Sequence, residues 1–282
     1  MTFTINRTLA FLAILIALSL TPLLVFTTPS VANDPVALRA YTMKQCNQNH
    51  MTSCWLYALD LEDGKGGPKD YLLSRVIHRK ACNGGKANAC ASLGRMLFNG
   101  KKVPREKERA VAYMVQACLM ERGPKGLCPG ATRFQLWLKP NHKLLAKAFV
   151  DHLPASDLPP RTGQSDKQFV KEVKRKVEAL ACEAHDDLAC SSYALAELQR
   201  SFDGKGTYDK AVEIALLGCQ KSKGTESCTT GGRLLMEFSK HKRGTDAYIT
   251  DIQKAGQFIR IACSRKQHSC KFLKDMRKIA LN

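Results

Sequence analysis

The 282-residue chain is poor in aromatic residues, 7% with two Trp, and poor in acids, with 25 Asp and Glu against 44 Lys and Arg. It has no Cys-x-x-Cys spacing, no Gly-rich phosphate loop of the Walker type and no succession of long apolar runs. The last absence excludes a polytopic membrane protein, and 44% hydrophobic residues exclude a disordered chain or a collagen. Without chelating Cys spacing there is no ground for a zinc site, a thioredoxin-like motif or a c-type haem attachment. Neither metal nor cofactor is therefore expected. Scarce aromatics and the lack of any reader module speak against nucleic acid, although the net charge of +19 would favour it electrostatically.

The N-terminal 32 residues contain one charge, Arg7, and an apolar run from Leu9 to Leu20 that continues through Phe26 to Ser30-Val31-Ala32. This reads as a secretory signal peptide, cleaved between Ala32 and Asn33. An uncleaved anchor is the alternative, since the stretch approaches spanning length. Either way the remaining chain is exported to a periplasmic or secreted location, where disulfides are stable.

All 12 Cys lie downstream of that segment and fall into six close pairs: Cys46 and Cys54, Cys82 and Cys90, Cys118 and Cys128, Cys182 and Cys190, Cys219 and Cys228, Cys263 and Cys270. Leading members of the first three pairs recur every 36 residues, a period that marks stacked repeats. Before each leading Cys after the first stands Ala81, Ala117, Ala181, Gly218 or Ala262. Four residues earlier stands Ile77, Tyr113, Val177, Ile214 or Phe258, on the same helical face. A helix therefore ends at each leading Cys. Tyr57-Ala58, Leu93-Gly94, Tyr193-Ala194 and Gly231-Gly232, with Ala131-Thr132 as a weaker version, follow the trailing Cys at a fixed distance, so a helix begins there and approaches a neighbour closely.

Turn formers separate the paired Cys: Asn83-Gly84-Gly85, Gly123-Pro124, Asp186-Asp187 and Gly224. Two Cys eight apart on one straight helix would be about 12 Å apart along its axis, beyond the roughly 7 Å that a disulfide spans. The chain must fold back, and each pair is expected to staple the end of one helix to the start of the next; a free buried thiol is the alternative for any single pair. Asp63-Gly64-Lys65-Gly66, Asn99-Gly100-Lys101-Lys102 and Asp203-Gly204-Lys205-Gly206 mark the turns inside the repeats.

Cys90-Ala91-Ser92-Leu93-Gly94, Leu97-Phe98-Asn99-Gly100, Val103, Ala110 and Ala117-Cys118 together resemble the Sel-one-like repeat (SLR) family, most closely its Helicobacter cysteine-rich protein (Hcp) type. The resemblance covers roughly Tyr41 to Ile279. It implies an all-α fold: an α/α solenoid of about five disulfide-stapled helix hairpins, a TPR-like superhelix whose concave face binds other proteins. The expected organisation is a signal peptide at 1–32, repeats one to three at 33–153, a Pro- and Gly-rich loop or break at 154–166, and repeats four and five with a capping helix at 167–282. Residues 129–168 keep little of the repeat, the fourth unit has a longer first helix, and the fifth stretches its inner segment from His241 to Ile252. Residues 271–282 read as an amphipathic cap.

The resemblance also brings an alternative function, because Hcp-type proteins are linked to penicillin binding and β-lactam hydrolysis. The only Ser-x-x-Lys after residue 32 is Ser239-Lys240-His241-Lys242, with no Ser-Asp-Asn or Lys-Thr-Gly to complete the constellation. No catalytic residue is assigned. His50, His185 and His268 lie in the Cys-paired turns and read as solvated; His78 reads as packed or half-exposed. Basic clusters at Lys171, Lys174, Arg175 and Lys176 and from Ser239 to the C-terminus would draw the chain toward anionic surfaces, or merely solvate it. The reading is a non-enzymatic, monomeric, exported scaffold that binds a protein, in particular an acidic one, with an anionic envelope polymer or lipid head groups as further partners. The interacting residues would come from the helices after Cys54, Cys90 and Cys190.

Overall fold

A computed structural model describes residues 34–100, 103–121, 127–128, 130–132, 141–266 and 270–271. The signal-peptide segment and residues 272–282 of the expected cap lie outside them, as does His268. Eleven α-helices occupy the described residues, with no strand among them. They are α1 Pro35–Asn47, α2 Met51–Asp63, α3 Tyr71–Asn83, α4 Ala87–Asn99, α5 Lys107–Met120, α6 His142–His152, α7 Asp166–Glu183, α8 Asp187–Phe202, α9 Tyr208–Lys221, α10 Glu226–Ser239 and α11 Asp246–Arg265. Each packs on its neighbours in the chain, so the helix hairpins stack in sequence order as a solenoid does.

The connection at three of the Cys pairs is one motif repeated. Three residues past the leading Cys, Asn49, Gly85 and His185 take left-handed φ angles of 65°, 89° and 63°. Their N–H groups donate to the carbonyls of Cys46, Cys82 and Cys182, and the next N–H groups, of His50, Lys86 and Asp186, donate to Gln45, Ala81 and Ala181. This is the Schellman pattern, which satisfies the carbonyls that a helix leaves open. His50, Lys86 and Asp186 are at the same time the N-caps of α2, α4 and α8. One helix thus ends and the next begins within three residues, and the trailing Cys lies in the first turn of the second helix. The helices begin three residues before the trailing Cys, at Met51, Ala87 and Asp187, and not at the Cys as the sequence reading has it.

All six Cys pairs are bonded in the expected partnership, with Cα atoms 4.3 to 4.7 Å apart. Within the repeats, Gly64, Gly100 and Gly204 take φ of 74°, 65° and 68°. A side chain there would be strained, which is why Gly recurs at these turns.

Small residues set the distance between helices. A Cβ on Gly94 of α4 would lie 2.9 Å from the Ala110 carbonyl oxygen and 2.8 Å from Met114 Cγ, both on α5. On α10, a Cβ on Gly232 would lie 3.2 Å from the Ala255 carbonyl and 2.5 Å from Ile259 Cγ1 of α11. These glycines stand four residues past Cys90 and Cys228, the position where α2 and α8 have the buried Ala58 and Ala194.

Two departures from the repeat take definite form. The stretched segment from His241 to Ile252 holds the end of a 3-10 turn, Lys240–Lys242, and the start of α11, which begins at Asp246 and runs for 20 residues. Residues 129–168 contain a helix, α6, that the repeat pattern does not foreshadow, followed by a 3-10 turn at Ala155–Asp157. One apolar cluster runs from Cys46 to Ala189 across residues 154–166, and a second extends from Cys182 to Ile259.

Candidate functional site

Of the helices that carry the trailing Cys, α2 lies beside α4 and α8 beside α10. Trp55, the residue after Cys54, donates its indole N–H to Oγ of Ser92, the second residue after Cys90, at 3.4 Å. The same step recurs one body further on, where Ser191 and Thr230 share a hydrogen bond of 2.7 Å between their hydroxyls. Lys86 Nζ sits 5.4 Å from the centroid of the Trp55 ring, a cation–π contact.

Between α2 and α4 lies a cleft of about 300 Å³ lined by Glu62, Tyr71, Ser92, Arg95, Met96 and Asn99. Glu62 Oε1 accepts from Ser74 Oγ at 3.2 Å and lies 2.6 Å from His78 Nε2. His78 is wholly buried, the packed one of its two expected placements, and it holds the carboxylate at the cleft floor from behind. The cleft therefore offers a held anion beside the exposed guanidinium of Arg95, which suits polar groups on a partner chain.

On α8 the same side is apolar. Leu188, Leu195 and Phe202 are seven residues apart, hence on one helical face, and are exposed by 37%, 50% and 75%. α8 has 16 residues where α2 and α4 have 13, so Phe202 stands on an added turn. That turn is secured to α7 by a closed ring of charges. Arg175 donates to Glu172 at 3.0 Å and to Glu197 at 2.9 Å, while Arg200 donates to Glu172 at 3.1 Å and lies 3.6 Å from Glu197. Burial works against the charge on Arg175, but the two carboxylates outweigh it and hold the guanidinium protonated more firmly than usual.

In the basic cluster of α7 three of the four cations are paired, and Lys171 is exposed. Arg175 belongs to the ring, Lys174 pairs with Glu178, and Lys176 pairs with Asp157. Of the turn histidines, His50 is an N-cap position and His185 the left-handed residue of its turn; both are backbone roles that one sequence does not display. Ser239, the serine of the Ser-x-x-Lys match, is the last residue of α10. It is wholly buried, and its hydroxyl donates to the Met236 carbonyl at 2.8 Å, which leaves no approach for a substrate. No cluster of three or more potential metal ligands occurs among the described residues.

A groove of about 670 Å³ lies between α9, α10 and α11. Tyr208 stacks on Phe238 across it and donates its hydroxyl to the Leu234 carbonyl. Burial, reinforced by Asp251, pushes the Tyr208 hydroxyl above its ordinary pKa, so it remains a donor. Lys242 pairs with Asp251 at 2.9 Å on the rim. Cations and acids balance around this groove, which gives it no preference for a charged ligand.

No family model matches the chain. Over 78 residues it is 35% identical to cytochrome c oxidase assembly factor 7 of Xenopus tropicalis, a match that takes in 27% of this chain and about a third, 34%, of that protein's length. Among solved structures it is similar to a Sel1 repeat protein from Oxalobacter formigenes, with a TM-score of 0.48, 15% identity and 79% of each chain covered. It is also similar to c5321, a protective antigen present in uropathogenic Escherichia coli strains and displaying an SLR fold, with a TM-score of 0.45, 18% identity, and 82% of this chain and 41% of that one covered. The cystine-stapled helix hairpins described above are the architecture that the resemblance to SLR proteins implies.

Proposed function

We propose that the chain is an exported, non-enzymatic scaffold that binds a protein on the side formed by α2, α4, α8 and α10. The observation that carries this reading is the row Leu188, Leu195 and Phe202, three large apolar side chains left in water on a single helix face. Burying such a row against a partner removes apolar surface from water at about 25 cal/mol per Å². The excess of Lys and Arg over acids supports an acidic partner, because opposite net charge speeds encounter. Six disulfides support an oxidising compartment. No helix among the described residues is long and apolar enough to cross a membrane.

Cross-linking and pull-down from an envelope extract, with the disulfides intact, tests the reading. The wild-type chain is expected to capture a defined acidic protein that the Leu195→Asp/Phe202→Asp variant no longer captures. Capture by the variant at the wild-type level would refute the assignment of this side. The absence of chemistry is tested separately: a chromogenic β-lactam should show no turnover, and turnover lost in Ser239→Ala would overturn the non-enzymatic reading.

A further inference from the structure

The helices that end at leading Cys form the other side of the stack, and the first two differ from those that follow. Ten residues before the Cys, α5, α7, α9 and α11 carry Glu108, Glu172, Asp209 and Gln253, whereas α1 carries Val36 and α3 carries Leu72. Val36, Leu72 and Val76, one turn after Leu72, are exposed by 61%, 64% and 58%. Within their spans neither α1 nor α3 contains an Asp or Glu; their acids are the exposed N-caps Asp34 and Asp70, whose carboxylates accept from the backbone N–H groups of Val36 and Leu73. Toward its C-terminal end α1 exposes Lys44 and α3 exposes Arg79.

The two helices run side by side in the same direction. At one end Arg39 of α1 donates to the Pro68 carbonyl at 3.1 Å, in the turn that leads into α3. At the other, Lys80 of α3 donates to the Cys46 carbonyl at 3.0 Å. Their solvent side is thus a pair of parallel rods with apolar groups over one half and cations over the other.

We propose that this surface docks on an anionic lipid bilayer, with Val36, Leu72 and Val76 in the acyl boundary and Lys44 and Arg79 at the head-group phosphates. Bulky apolar groups next to Lys and Arg, with acids confined to the N-caps Asp34 and Asp70, are the composition of interfacial helices. The side chains project from rods and do not line a groove, so a yielding lipid phase fits them better than a rigid protein surface. The charge is complementary, as anionic head groups attract Lys and Arg near the surface. The apolar run ending at Phe26 stands a few residues before α1 and would keep these helices near the bilayer during export. The inference rests on the reading that the chain is exported, but concerns a surface other than the protein-binding side.

Sedimentation of the exported, oxidised protein with vesicles tests it. Vesicles of phosphatidylglycerol mixed with phosphatidylcholine should carry the protein down, less so at high salt, and phosphatidylcholine alone should carry down little. The Val36→Glu/Leu72→Glu/Val76→Glu variant should partition roughly tenfold less or worse with an unchanged melting transition, since all three sites are exposed. Lys44→Gln/Arg79→Gln should abolish the preference for the anionic lipid. The proposal fails if wild type stays in the supernatant, if the triple Glu variant sediments like wild type, or if that variant loses a captured protein while keeping its vesicle binding. Partner capture through Leu195 and Phe202, measured on the same variants, separates failure of this proposal from failure of the protein-binding reading.

Discussion

Glu197 of α8 and Arg175 of α7 meet at 2.9 Å in a place where the first, second and fifth units keep a leucine. Seven residues past the trailing Cys stand the buried Leu61, Leu97 and Leu235, and in the fourth unit the equally buried Glu197. The charge is tolerated because Arg175 of α7 and Arg200 of α8 lie alongside it.

Removal of one partner should therefore cost more than removal of both. Glu197→Ala leaves Arg175 and Arg200 competing for Glu172 and is expected to lower the unfolding free energy by about 3 kcal/mol. The Arg175→Leu/Glu197→Leu double variant restores the apolar residue of the register and is expected to lie within about 1 kcal/mol of wild type. Urea unfolding of the oxidised protein reads both. A double variant as unstable as Glu197→Ala would mean that the ring is needed as a whole.

Glycine at the helix crossings sets a steric limit. Gly94→Ala gains helix propensity of about 1 kcal/mol, but drives a methyl against the Ala110 carbonyl of α5, a backbone atom that cannot turn aside. Overpacking of this kind costs about 1 to 3 kcal/mol, so the net change should be destabilising. Gly232→Ala should behave likewise against Ala255 and Ile259. Thermal unfolding decides the sign, and a rise in Tm for both variants would show that the helices can separate without loss.

Glu178 makes stability depend on pH in an unusual direction. Burial raises its carboxyl to about 6 from an ordinary 4.5, only partly offset by Lys174 at 3.7 Å. Since the folded state holds this proton up to a higher pH than the unfolded chain does, the Glu178 contribution to stability falls as pH rises from about 4.5 to about 6 and stays low above that. Glu178→Gln is expected to flatten this part of the stability profile and to stabilise the protein at pH 7 by about 1 to 2 kcal/mol. Denaturant titrations of both proteins at pH 4.5 and 7 test it; an equal difference at the two pH values would assign the effect to packing and not to ionisation.

The cystine pattern predicts its own peptide map. Digestion without reduction should return six local pairs and no free thiol, and a cross-repeat pair would break the hairpin assignment. On the loop-entropy model each ring contributes about 2.5 kcal/mol, so Cys182→Ser/Cys190→Ser should lower stability by about that amount.

Much of the architecture was legible because its cause is local. A Schellman turn that becomes an N-cap needs only a few consecutive residues, and a disulfide across it needs two Cys at one separation, so both recur visibly with the repeat. What was misread has non-local causes. α6 carries no Cys and breaks the period. That His78 is packed, and not half-exposed, was left open because its partner, Glu62, lies on the preceding helix. The cluster at Lys174, Arg175 and Lys176 looked like a free basic patch because Glu197 and Asp157 are distant in the chain or across a turn. A comparison of Glu197 with Leu61, Leu97 and Leu235 in the cysteine-aligned register would have exposed that substitution.

The sequence by itself determined that helices pair through adjacent Cys and stack with a period near 36, since backbone turns and short covalent rings are properties of neighbouring residues. Only the tertiary structure decided which side chains remain available to a partner. Availability is what is left after every other helix has buried or neutralised its share, as the ring at Arg175 and the burial of Ser239 illustrate on one side, and the uncovered Leu195, Phe202, Leu72 and Val76 on the other.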